Sequence, residues 1–467
     1  MPGPIRNFAQ SNLINERFHE LVPAGSHTYS KGEDQFPALS PKLMVRACGA
    51  YCWDVDGNRY IDWAMGNRVF VLGHNHPAVS DAVKRQIDCG LNFTRPGFLE
   101  YQLAEYLTDL LPVAEMVKFG KNGSDVTTAA IRLARAHTGR KYVAICKDHP
   151  FFSVHDWFIG ATPMHSGVPH EIAALSLGFS YNNLESLVEL YRQFPGQIAA
   201  VILEPVKNEE PREDFLSDLR ALTQKERSVL IFDEMISGIR FDIRGAHHLW
   251  NVYPDLATFG KAYANGFSFS LLAGRKEIMQ LGGLRHDKPR VFLLSQTHSS
   301  ETTGLAACMA TLTECQRINV TAHIWILGGQ LVKAVRELAA SEGVADYVRI
   351  IGFDCNPQIL CTHPNGEFWP ALHMVFHEEL ISWGVLIPWI SITSAHGEAE
   401  LSQTLEAIRE GMRRVSLALS DGPVEKWFSG KAARPVFRPF NRCMQSYCGR
   451  INSSSPQLAC CIDGETR

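Results

Sequence analysis

The chain has 467 residues, with 45 Lys and Arg against 49 Asp and Glu and a formal net charge of −4, which excludes nucleic-acid binding by bulk charge. At 45% hydrophobic and 20% charged residues it has the make-up of a globular protein long enough for two or three domains, and disorder, collagen and coiled coil are excluded. No stretch approaches the roughly 20 apolar residues of a membrane span, and MPGPIRNFAQ lacks the basic-then-apolar pattern of an export signal, so a soluble protein with no membrane partner is expected. The 12 cysteines are scattered, with no CxxC pair, as reduced thiols of an intracellular protein would be, and the expected location is cytoplasmic.

In chain order, residues 50–62 (AYCWDVDGNRYID) predict two short strands joined at Asp56-Gly57-Asn58, since Asp-Gly between β-formers is a strong hairpin signal. Helical periodicity then covers 78–89, a strand 116–119 and a helix 125–137. Strands follow at 142–145, 199–203 and 229–232, with helical patterns at 184–191 and 215–226. This alternation predicts an α/β domain over 71–302, built on a mostly parallel sheet flanked by helices. A long helix at 303–317 opens a smaller α+β domain running to about 420. Residues 421–467 carry Pro, Ser, Arg and Cys without periodicity and are expected to form a flexible or only loosely docked tail.

The segment 253–274, YPDLATFGKAYANGFSFSLLAG, holds one lysine, Lys261, between glycines and apolar residues. Desolvation there depresses an amine's pKa and frees it for Schiff-base chemistry. A Walker-type phosphate loop is excluded, because Asp255 and Ala262 stand where it needs Gly and Ser or Thr. Upstream, the apolar run VLIF leads straight into Asp233, a carboxylate at the end of a parallel strand, where α/β sheets place ligands. Alone, Asp233 is equally a helix cap or a metal ligand. Paired with Lys261 it suggests pyridoxal 5′-phosphate, whose pyridine nitrogen needs a carboxylate nearby to stay protonated. Gly123 and Ser124 open a helix after a strand, and free N–H groups there would hold a phosphate, although Ser124 alone is as readily an N-cap. Phe151 in FFSVHDW could stack on a flat heterocycle, or belong to the core.

In order and spacing, VDGNRYIDW, LGHNHP, NGSD, ILEPV, IFDEMISGIR, PDLATFGKA and the text near THSSETTGLAA resemble the class III pyridoxal-phosphate aminotransferases of fold type I, and most of all the glutamate-1-semialdehyde aminomutase branch, over residues 15–420. The resemblance implies a large cofactor domain, and a smaller domain shared between the N-terminal segment 1–70 and the chain after about 302. It implies Lys261 as the Schiff-base lysine, Asp233 as the partner of the pyridine nitrogen, and Met235 on the ring face opposite Phe151. Gly123 and Ser124 match the phosphate turn, Glu204 a cofactor-side position, and Thr297 a threonine that reaches the neighbouring subunit's phosphate, which implies a homodimer with shared sites. The chain departs from the pattern in Phe151, where tyrosine is usual, and in Lys31, where the aminomutases carry an arginine for the substrate carboxylate. Arg and Lys are not equivalent in gripping a carboxylate, which argues against glutamate 1-semialdehyde as substrate.

The expected activity is therefore amino transfer from an amine or amino-acid donor to a carbonyl acceptor. The alternatives are an intramolecular aminomutase and a non-catalytic scaffold on the same fold. Substrate contacts are expected from the polar cluster His27, Tyr29 and Lys31 and from Arg95. No metal is expected: His74 with His76, and His247 with His248, lack a third ligand at recognisable spacing. A GxSxG elbow and a GxGxxG turn after a strand are both missing, which speaks against a hydrolase and a dinucleotide enzyme.

Overall fold

The computed structural model describes residues 6–149 and 151–441. Its centre is a seven-stranded sheet in the order Met116–Gly120, Ser270–Gly274, Leu256–Gly260, Val229–Asp233, Ile198–Leu203, Tyr142–Cys146, Ser176–Phe179. Ser270–Gly274 runs antiparallel to both neighbours, and the remaining pairs are parallel. Every residue of Ile198–Leu203, Val229–Asp233, Leu256–Gly260 and Ser270–Gly274 is buried. Strands covered on both faces read as unbroken apolar runs, and a polar residue at the end of one stands out.

The helix Gly123–Thr138 packs on this sheet through Val126, Ala129, Ala130, Leu133 and Ala134, and ends on Gly139 in the left-handed conformation (φ 67°). Leu256–Gly260 and Val229–Asp233 lie side by side with Asp233 opposite Thr258, so Asp233 and the residue after Gly260 emerge together at the carboxyl edge. Thr302–Arg317, capped by Glu301 accepting from Thr303 N, packs against Pro77–Cys89 and against the turn Lys261–Ala264.

The N-terminal hairpin forms: Tyr51–Asp54 pairs with Arg59–Asp62, and Asp54 Oδ1 closes the turn by accepting from Asp56 N (3.0 Å) and Asn58 N (2.8 Å). Met44–Cys48 extends it on one side, and Val385–Leu386, from far along the chain, adds in parallel on the other. A second hairpin, Val348–Phe353 with Asn356–Cys361, packs with the helices Val320–Ser341 and Pro370–Ser382, and Glu398–Ser420 lies against both helices.

As far as Asn441 the stretch after residue 420 is docked at separate points. Val424 is buried, Arg414 donates to Trp427 O (2.7 Å), Ser429 N to Glu378 Oε2 (3.0 Å) and Gln35 Nε2 to Arg434 O (2.9 Å). Phe437 meets Phe158 edge-on, and Arg438 pairs with Asp34. Isolated anchors of this kind leave no periodicity to read. The rest of the expected tail, 442–467, lies outside the described residues.

Candidate active site

Lys261 sits at a backbone discontinuity. Gly260 is extended (φ 173°, ψ −146°), Lys261 turns left-handed (φ 48°), and a short 3₁₀ turn runs to Asn265. A non-glycine residue with positive φ is strained and persists where its surroundings over-determine it. Here Asn265 does so: its Oδ1 accepts from Val71 N (3.0 Å) and Leu72 N (2.9 Å) while Nδ2 donates to Gly73 O (3.0 Å). Among the described residues the Lys261 amine has no hydrogen-bond partner. Burial pulls its pKa down, Asp233 and Glu204 pull it back up, and the positive charges of Arg68 and Arg240 add to the depression.

Asp233 is buried, and its Oδ1 accepts from Met235 N (3.0 Å) and Thr258 Oγ1 (3.3 Å), while Oδ2 accepts nothing among the described residues. Burial, reinforced by Glu204, pushes its carboxyl up to about 7 against the pull of Lys261. Glu204, at the end of Ile198–Leu203, is buried too, which opposes its ionisation, but Lys207, His149, Lys261 and Arg68 outweigh that and hold its pKa below the ordinary value. Lys207 Nζ lies 3.5 Å from Glu204 Oε1, and the Glu204 N–H donates to His149 Nδ1 (3.0 Å). Burial holds His149 down to about 4, so the ring is neutral at physiological pH and free to accept at Nδ1.

Helix Gly123–Thr138 has Asn122 as its N-cap, so Ser124 is not the cap. Asp125 Oδ2 turns back to accept from Asn122 N (2.8 Å) and Lys121 N (3.2 Å), leaving the N–H groups of Gly123 and Ser124 unpaired among the described residues. Ser124 Oγ accepts from Val154 N (3.0 Å), pinning the loop that carries Phe151, and its hydroxyl proton stays available. Met235 explains the glycines on either side: a Cβ on Gly123 would meet its Sδ at 3.2 Å, and one on Gly260 at 2.8 Å.

Lys261, Asp233, Met235, Gly123 and Glu204 are thus linked by hydrogen bonds, packing or electrostatics, and Ser124 follows Gly123 at the same helix start. Phe151 is half exposed and edge-on to Phe158 at 5.7 Å. Thr297 is exposed, with its carbonyl accepting from Asn92 Nδ2 (2.9 Å). His27, Tyr29, Lys31 and Arg95 are exposed, and none of their side chains bonds to the buried group. Ser30 does touch the site's wall, accepting from Asn67 Nδ2 at 3.0 Å. The histidines weighed as metal ligands hold other partners: His74 with Asp62 at 2.8 Å, His76 with Glu314 at 3.8 Å, His247 with Glu234 at 2.7 Å and His248 with Tyr253 at 3.0 Å.

Sequence reasoning missed His149, Lys207, Arg68 and Arg240. Met65, Gly66, Asn67 and Arg68 form four consecutive left-handed residues (φ 45°, 57°, 71° and 64°), which costs roughly 1–2 kcal/mol at each non-glycine position. The pair Gly66-Asn67 is the one trace of this in the sequence. Arg240, fully buried, holds the segment by donating to Arg68 O (2.7 Å), Phe70 O (3.0 Å) and Ser391 Oγ (2.9 Å).

Residues 29–360 match the family model of class-III aminotransferases. Among solved structures the chain is similar to the Sphingopyxis FumI protein (24% identity, TM-score 0.81, covering 90% of this chain and 99% of that one). It is also similar to an omega-transaminase from Sphaerobacter thermophilus (24%, TM-score 0.78, 88% and 100%). A third likeness is to a glutamate-1-semialdehyde aminomutase from Pseudomonas aeruginosa PAO1 (21%, TM-score 0.77, 87% and 95%). These likenesses show the fold-type-I architecture. The family match covers most of the chain: it belongs to the class-III aminotransferases, enzymes that use pyridoxal phosphate to move amino groups.

Proposed function

We propose that this aminotransferase works through Lys261 and Asp233, moving an amino group from an amine or amino-acid donor to a separate carbonyl acceptor. The observation that carries the assignment is the pairing at adjacent strand ends of an amine without a partner and a buried carboxylate with one oxygen unspent. The donor set fits pyridoxal phosphate at three points. Lys261 Nζ is free for the Schiff base, Asp233 Oδ2 for the pyridine N–H, and the N–H groups of Gly123 and Ser124 for the phosphate.

Bound pyridoxal phosphate supplies an electron sink that stabilises negative charge on the carbon bearing the amino group. The chain's residues do the rest. Asp233, stripped of water, gains most from a cation at its free oxygen, because a positive neighbour relieves the cost of its burial. Lys261 Nζ, whose pKa burial lowers, is the base that takes a proton from the donor carbon and returns it as the acid. Met235 packs against Gly123 and Gly260 and fixes the floor between phosphate turn and lysine turn.

A homodimer with shared sites is part of the proposal. Thr297 is exposed, bonded through its carbonyl to Asn92, and this stretch leaves Leu91, Phe93, Phe98 and Tyr101 uncovered, an apolar surface suited to a second copy. A cytoplasmic location is supported by the free thiols among the described residues, of which Cys52, Cys146, Cys308, Cys315, Cys355 and Cys361 are buried. Lys261→Ala tests the mechanism. Turnover should fall at least about 10³-fold with circular dichroism unchanged; activity within tenfold of the parent would refute it.

A further inference from the structure

Arg68 is the one charged group at this site whose role is unassigned. Its Nε is buried without a partner, and among the described residues its guanidinium makes no hydrogen bond or ion pair. Arg240 also leaves its Nε unpartnered but spends its terminal nitrogens on the carbonyls of Ile236, Arg68 and Phe70, whereas the partly buried Arg68 spends none of its guanidinium donors on another described residue. The backbone under Arg68 is strained and clamped: Arg240 grips its carbonyl, Trp389 Nε1 donates to Ala64 O (2.9 Å), Met65 N to Asp62 Oδ1 (2.9 Å), and Asn67 to Ser30. A conformation held at such cost positions something.

The charges around it indicate what. Arg68 lies within electrostatic reach of Lys261, Glu204, Lys207 and Arg240. Glu204 has Lys207 at 3.5 Å and attracts Arg68 only at longer range, and Asp233 is kept for the cofactor's pyridine nitrogen, so among the described residues no carboxylate is bonded to the Arg68 guanidinium. Burial draws its pKa down to about 10, so it stays charged at neutral pH. The cofactor's phosphate has its own donors at Gly123 and Ser124, and Lys31, the alternative cation, is exposed.

We propose that Arg68 binds the substrate carboxylate, so that donors and acceptors bearing a carboxylate are preferred over plain amines and ketones; this rests on the transaminase reading above. A planar guanidinium offers the two parallel N–H groups that a carboxylate accepts, and at the partly buried Arg68 such a pair outweighs the exposed Lys31.

The test uses the cofactor-loaded enzyme and two unreactive probes, butyrate and its uncharged counterpart butyramide, with affinities from calorimetry. The parent should favour butyrate at least about tenfold. Arg68→Met should weaken butyrate at least about 30-fold and leave butyramide unchanged, with Arg68→Lys recovering part of the loss. In steady state the same variant should raise KM for carboxylate donors more than it lowers kcat. Circular dichroism checks folding, and Arg68→Gln carries the test should the Met variant unfold. Equal affinity of the parent for both probes, an equal loss of both in the variant, or loss of the cofactor from the variant would each overturn the assignment. A parent protein that shows no cofactor absorption contradicts the transaminase reading instead, so the two failures are distinct.

Discussion

Replacing Asp233 with Asn keeps an Oδ1 acceptor for Met235 N and Thr258 Oγ1 while removing the charge. Burial first, then Glu204, move the carboxyl from an ordinary 3.8 to about 7. A difference of about three pH units corresponds to about 4 kcal/mol between its protonated and ionised forms. An acid with a raised folded-state pKa stabilises the fold below its unfolded pKa, and that contribution is lost as pH rises through the folded one. Cofactor-free parent protein should therefore lose up to about 4 kcal/mol between about pH 4 and pH 7 that Asp233→Asn does not lose, so the variant is the more stable above pH 7. Pyridoxal phosphate should reverse the order, because a cation at Oδ2 restores what burial removed. Urea unfolding of both proteins from pH 5 to pH 8, with and without cofactor, reads this directly. Parallel pH curves for the two cofactor-free proteins would refute the reasoning.

Arg240→Met should cost about 1–3 kcal/mol or more in urea unfolding, since Arg68 O, Phe70 O and Ser391 Oγ lose a buried donor. It should also weaken butyrate binding, because the left-handed segment is released. Gly328→Ala should lower stability by about 1–3 kcal/mol or more, for a Cβ there would lie 1.7 Å from Asp354 O and the helix Val320–Ser341 must shift. Gly343→Ala, with φ +71° but open space around it, should cost only about 1 kcal/mol, and equal melting temperatures for the two variants would contradict the packing argument.

Much of the fold was legible because buried strands leave plain text. Ile198–Leu203 and Val229–Asp233 read as apolar runs, and the polar residues ending them, Glu204 and Asp233, stood out for the same reason. The reversal of Ser270–Gly274 was not legible, since SLLAG looks alike in either direction and only its neighbours set the sense. Ser176–Phe179 is short and contains Gly178, and it forms because Tyr142–Cys146 offers an edge. Lys261, Asp233, Gly123 and Ser124 could be singled out as candidates because the proposed chemistry needs those residue types at strand and helix ends. Arg68 and Arg240 could not, because each matters through a backbone conformation and a tertiary clamp that no local pattern encodes.

The central claim is that this chain transfers amino groups through a cofactor held by Lys261, and absorption spectroscopy tests it most directly. Purified protein supplied with pyridoxal phosphate should show a near-visible cofactor band that one amino donor from a panel bleaches and a keto acid restores, while Lys261→Ala shows no such cycle. A band that no donor bleaches, or the same cycle in Lys261→Ala, would contradict it.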